Sequence, residues 1–104
     1  MNSVLFICLI FITILALDAF GQTGDAEAGK SKSAVCAVCH GADGNSSNPV
    51  WPNLAGQHDQ YLIKSMKDYR DGKRDDPQMN ETFQSLSDQD IADLAAYYSS
   101  QKQN

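Results

Sequence analysis

Cys36-Ala37-Val38-Cys39-His40 sets two thiols three residues apart and puts an imidazole directly after the second. On a helix, thiols one turn apart can add to the two vinyl groups on one edge of a haem, and the adjacent histidine then projects onto the iron. The C-x-x-C-H spacing is the signature of that covalent attachment. Two other chemistries use the same residue types. A thiol–disulfide motif is also C-x-x-C, but it follows a strand in a βαβ setting, and nothing after Gly21 reads as a strand. A zinc site needs four ligands in two knuckles, and only His58 is left to join Cys36, Cys39 and His40. Haem attachment uses all five positions; thiol redox and zinc stand as the alternatives.

Residues of this kind work only when other elements hold them around a ligand. Residues 23 to about 39 are rich in Ala and Lys, acidic near the start at Asp25 and Glu27, and free of Pro, which predicts a first helix. Gly29 within it calls for a close neighbour. Residues 41–56 concentrate Gly, Asn, Ser and Pro and predict a loop long enough to wrap something. From Asp59 to Arg70, Leu62, Met66 and Tyr69 fall on one helical face, with Asp71-Gly72 as a stop. Residues 73–86 read as a second polar loop. Ser87-Asp88-Gln89-Asp90 resembles a capping box, and Ile91, Leu94, Ala95 and Tyr98 follow on the apolar face of a terminal helix. Tyr61, Phe83 and Tyr98 are candidates for core or pocket wall.

With 104 residues the chain has room for one small domain, and 42% hydrophobic against 20% charged residues is a globular composition. A net charge of −5 offers no electrostatic footprint for nucleic acid. Residues 4–17, VLFICLIFITILAL, are short for a membrane span and the right length for a signal-peptide core. Ala19 and Gly21 flank Phe20 as small residues at a cleavage site, so residues 1–21 are expected to be a signal peptide and 22–104 the mature domain. Met1-Asn2-Ser3 carries no Lys or Arg, which keeps an uncleaved anchor as the alternative. Cys8 lies mid-core behind Phe6 and Ile7 and is read as apolar filler lost with the signal. An exported domain of this size needs a staple beyond its core, and that staple should sit near Cys36 and Cys39.

CAVCHGADG at 36–44, WPNLAGQ at 51–57, YRDGKR at 69–74, the Pro77-x-Met79 loop and LSDQDIADLAAYY at 86–98 together resemble a class I cytochrome c. The likeness is to the small bacterial periplasmic monohaem type, similar to one haem domain of the dihaem periplasmic cytochromes c. It covers essentially all of the chain after Gly21. It implies an all-α fold with about three main helices and long loops wrapped around one covalently bound haem c. Cys36 and Cys39 would hold the haem by thioethers and His40 would be the proximal iron ligand. The Pro52 carbonyl would accept the proton of the histidine's other nitrogen, Leu54 would pack on the haem, and Tyr97 would cross the first helix near Gly29. Met79 occupies the family's position for the distal thioether, with Met66 and His58 as competitors. Trp51, Gln57 and Arg74 are candidate donors to the propionates.

The resemblance implies a non-enzymatic periplasmic electron shuttle in a respiratory chain, its iron held by His40 and Met79. Redox proteins are the expected partners: quinol-oxidising complexes and terminal oxidases or reductases, met by a monomer that keeps no stable membrane association after signal cleavage. The acidic runs Asp75-Asp76 and Asp88-Gln89-Asp90 are expected to be solvated faces and caps, with steering toward a basic partner as a further use. The alternative is a haem sensor or peroxidase-like protein with an open or displaceable distal site.

Overall fold

Capping and short-range hydrogen bonds set where each helix begins and ends. A computed structural model describes residues 23–104. The expected signal segment at 1–21, with Cys8, lies outside the described residues. Five helices and no strand occur among the described residues: α1 (Ala26–Lys32), α2 (Ala34–His40), α3 (Asp59–Arg70), α4 (Pro77–Phe83) and α5 (Asp88–Ser99). The all-α expectation is met, and no described helix is long and apolar enough to cross a membrane.

Two elements differ from expectation. The single first helix is divided at Ser33, whose hydroxyl donates to the Lys30 carbonyl at 2.8 Å while its own N–H reaches the same oxygen at 3.3 Å. These bonds tighten the last turn of α1 and end its i→i−4 ladder, and α2 restarts with the Ser33 carbonyl accepting from Cys36 and Ala37. The attachment motif therefore has a short helix of its own. The second polar loop, at 73–86, contains α4. Asp76 accepts from the N–H groups of Gln78 and Met79, and Pro77 fills the first helical position, where its missing N–H costs nothing.

α3 and α5 match the sequence expectation. α3 buries Leu62 and Met66 and gives way to Gly72 at φ +78°. α5 opens on a capping box in which the Ser87 hydroxyl accepts from the Asp90 N–H and the Asp90 carboxylate accepts from Ser87 N–H. Its face carries Ile91, Leu94 and Tyr98, all fully buried, against Leu62, Met66 and Phe83. Each such large apolar side chain contributes about 1.5–3 kcal/mol by leaving water.

α1 lies across α5 at Gly29, as the missing side chain implied. A Cβ there would collide with the Asp93 carbonyl and sit 2.8 Å from the Tyr97 Cβ. A partly buried ionic cluster around Asp93 secures the crossing. The Asp93 carboxylate accepts from the Asp25 N–H at 2.8 Å, from the Gln89 amide at 2.8 Å and from the Lys32 ammonium at 2.6 Å. Lys32 also pairs with Asp90 at 2.8 Å, and Arg70 pairs with Asp88 at 2.8 Å. The second acidic run thus caps a helix, as expected, and in addition ties α5 to α1 and α3.

Gly29→Ala is expected to destabilise the protein by roughly 2 kcal/mol through overpacking against α5, measured by denaturant unfolding. Lys32, followed by the Ser87 N–H and hydroxyl, pushes Asp90 down to about 2, and Lys32, followed by the Asp25 N–H and Gln89, pushes Asp93 below the usual carboxylate range. Folded-state values below the ordinary 3.8 give stability that is present above about pH 4 and lost as pH falls toward about 2. Lys32→Gln should therefore move the midpoint of acid unfolding to higher pH, read by circular dichroism.

Candidate cofactor site

α2, α3, α4, the end of α5 and the 41–56 loop surround a cavity of about 440 Å³, a volume within the roughly 300–1,000 Å³ of small-molecule sites. Cys36, Cys39 and His40 face it from α2; Trp51, Pro52 and Leu54 from the loop; Met79 from α4; Arg74 from the turn between α3 and α4. Every predicted site residue meets here, Gln57 included. His58 does not: it is exposed at the start of α3, and its side chain makes no capping bond.

His40 ends α2 and is buried. Its Nδ1–H donates to the Pro52 carbonyl at 2.8 Å. A carbonyl only accepts, so the proton belongs on Nδ1 and the Nε2 lone pair is left free for a metal. The loop reaches this geometry through Gly44, at φ +86°, whose carbonyl accepts from Leu54 N–H at 2.7 Å and Ala55 N–H at 3.1 Å. A Cβ on Gly44 would lie 2.8 Å from both the Ala55 nitrogen and the Tyr98 ring. The Gly56 N–H then donates to the Tyr98 carbonyl at 3.0 Å, tying the loop to α5.

Across the cavity, Met79 is half-buried against the core. The residue that fixes its helix is Asn80, which no sequence signal singled out. Its amide donates to the carbonyls of Tyr69 at 2.7 Å and Arg74 at 2.8 Å, and its oxygen accepts from Asp76 N–H at 2.9 Å. Tyr69 stacks on Phe83 with centroids 5.9 Å apart, and the Arg74 guanidinium sits 4.6 Å over the Tyr69 ring. The Ser65 hydroxyl and the Arg74 guanidinium hold the half-exposed Tyr61 phenol below its ordinary range. Met66 does double duty, packed in the core and touching the cavity wall. Val35, Val38 and Val50 are exposed around the mouth.

The donor set discriminates among the chemistries left open by the motif. Among the described residues no three His, Cys, Asp or Glu side chains gather as ligands of a bare metal ion, so zinc lacks its site. Cys36 and Cys39 form no disulfide, no strand precedes them among the described residues, and burial pushes the Cys36 thiol up, away from the thiolate that redox exchange requires. Two thiols and a tautomerically fixed imidazole on one wall of a largely apolar cavity fit a haem.

The cytochrome c family model matches residues 26–102. Cytochrome c4 of Pseudomonas aeruginosa is 50% identical over 102 residues, covering 98% of this chain and 50% of that protein. Cytochrome c-554(548) of Halomonas halodenitrificans is 52% identical over 82 residues, covering 76% of this chain and 99% of that protein. Reduced recombinant cytochrome c4 from Pseudomonas stutzeri superposes with a TM-score of 0.76 at 47% identity, over 79% of this chain and 48% of that one. The chain spans about half the length of the cytochromes c4 it matches and nearly all of the Halomonas protein. On a match that runs through all five helices, the chain belongs to the cytochrome c family, with its class I fold and its covalently bound haem c.

Proposed function

We propose that this chain is a periplasmic electron carrier whose iron is held between His40 and Met79, passing single electrons in a respiratory chain. The observation that carries the proposal is the His40 Nδ1–H bond to Pro52, which aims a free Nε2 into a cavity that Met79 faces from α4. Haem c, when bound, supplies reversible one-electron iron chemistry.

The chain's own residues do the rest. Cys36 and Cys39 hold the cofactor covalently. The Pro52 carbonyl fixes the His40 ring and raises its basicity as a ligand. The Met79 thioether is soft, suits both iron oxidation states and holds the potential high. Both methionines reach the cavity, but Met66 is the weaker candidate because its side chain is 5% exposed within the core cluster while Met79 is only partly buried, on a helix that Asn80 pins. Leu54, Leu62, Phe83 and Tyr98 keep water from the ring. Trp51, Gln57 and Arg74 stand at the cavity as donors for its carboxylates.

With His40 and Met79 both committed to the iron no substrate site would be left there, which suits a carrier rather than an enzyme. Exposed Val35, Val38 and Val50 at the mouth, on a domain that stays net acidic after residues 1–21 are removed, suit brief apolar contacts steered by charge. Quinol-oxidising complexes and terminal oxidases or reductases are the partners proposed, reached after export by the 1–21 segment.

In the oxidised wild-type holoprotein a weak near-infrared sulfur-to-iron band is expected, with no change of the reduced spectrum under CO. Met79→Ala should remove that band, open the site to CO and lower the midpoint potential by on the order of 0.1–0.3 V, part of the roughly 0.8 V that axial ligands command. Met66→Leu should keep the band. A band that survives Met79→Ala would place the ligand elsewhere, and a wild-type protein that binds CO readily would favour the sensor or peroxidase-like reading.

A further inference from the structure

Among the described residues the Tyr98 hydroxyl is the one buried side-chain polar atom with no hydrogen-bond partner. The side chain is 0% exposed, lines the cavity and cannot swing away. Gly44 closes on the Tyr98 ring with no room for a Cβ, and the Tyr98 carbonyl is held by the Gly56 and Gln101 N–H groups. Buried hydroxyls left without a partner are rare and costly. This one is therefore expected to be bonded in the finished protein.

Two groups on the α2 side lie beside it. The Ser33 hydroxyl gives its proton to the Lys30 carbonyl, makes no hydrogen bond with the phenol, and is left unchanged by haem attachment. The other is Cys36, and the two residues act on one another: burial pushes the Cys36 thiol up and the phenol draws it partly back, while the phenol is pushed up by burial first and then by Cys36. A thiol carries its own proton. The sulfur of a thioether has none and can only accept.

We infer that Tyr98 donates a hydrogen bond to the Cys36 sulfur once that sulfur is a thioether, and so acts as a positioning residue that tunes the haem through its point of attachment. The inference rests on attachment through Cys36. A donor on the sulfur draws electron density from it and favours the electron-richer reduced state, which holds the potential up, as hydrogen bonding around a metal centre generally does.

The test uses holoprotein. Tyr98→Phe, which keeps the ring and loses the oxygen, should lower the midpoint potential. Tyr97→Phe, which loses a bond to the Ala42 carbonyl at 2.8 Å, should cost stability but leave the potential in place. In a Cys36→Ala background, held by Cys39 alone, Tyr98→Phe should cause no further fall. An unchanged potential in Tyr98→Phe overturns the inference, and so does an equal fall without the Cys36 sulfur. A fall that alters the pH dependence of the potential also overturns it, because the acceptor is then a haem carboxylate. Should Tyr98→Phe fail to mature, proton NMR of the reduced wild type decides: a slowly exchanging phenol proton close to the Cys36 β-protons is expected, and its absence overturns the assignment. The pyridine haemochrome spectrum of the wild type reads attachment separately, since a one-thioether spectrum with Cys36 free removes the acceptor whatever the potential.

Discussion

At Gly29, α1 rests on the backbone of α5 with no side chain between them, and the walls of the haem cavity take their positions from that contact. α2 continues directly from α1 through Ser33, so the crossing decides where Cys36, Cys39 and His40 stand. α5 carries Tyr98 into the same cavity from the other side of the crossing. Backbone-to-backbone contact tolerates little drift, and the Asp93 carboxylate, satisfied by three donors from three positions, locks the angle. A buried carboxylate with that many partners is costly to disturb, because losing one leaves charge uncompensated.

The distal wall is built on different physics. α4 is seven residues long and buries one side chain, Phe83, so apolar packing alone would hold it weakly. Asn80 compensates with bonds to the chain on either side of the α3 terminus, and the Phe83–Tyr69–Arg74 stack extends the contact. The proximal side is therefore set by helix crossing and the distal side by polar bonds to loop carbonyls. Polar bonds near the surface open more readily than a packed crossing, which puts whatever mobility the site has on the Met79 side.

The parts of the molecule legible in the sequence are those whose signals are local. Asp59–Arg70 and the Ser87 capping box were readable because periodicity and capping act within one or two turns. The C-x-x-C-H motif gave the attachment chemistry, and the wider resemblance gave Pro52, Leu54 and Met79, all of which reach the cavity. What escaped is non-local or was masked by composition. Asp76-Pro77 is a helix start, but the PQMNETF that follows has only Met79 and Phe83 on one face, and its helix depends on Asn80 bonds to residues 6 and 11 positions away. Lys32 and Asp93 look like surface charges until a fold 61 residues wide brings them together. Ser33 is compatible with a helix interior or a cap, and its hydroxyl bond back to the Lys30 carbonyl decides for the break.

The bond from Asp25 N–H to Asp93 joins positions 68 residues apart, and this has a consequence for the order of assembly. α1 and α5 gain nothing from each other until most of the chain has been drawn into one loop, so the closing entropy comes due before the burial that offsets it. Helices as short as α1 and α2 do not persist alone in water. Before closure, then, the two thiols lie on open chain where enzymes of maturation can reach them. Attachment at that stage would fasten the haem to an open polymer and leave it at the centre around which that polymer closes.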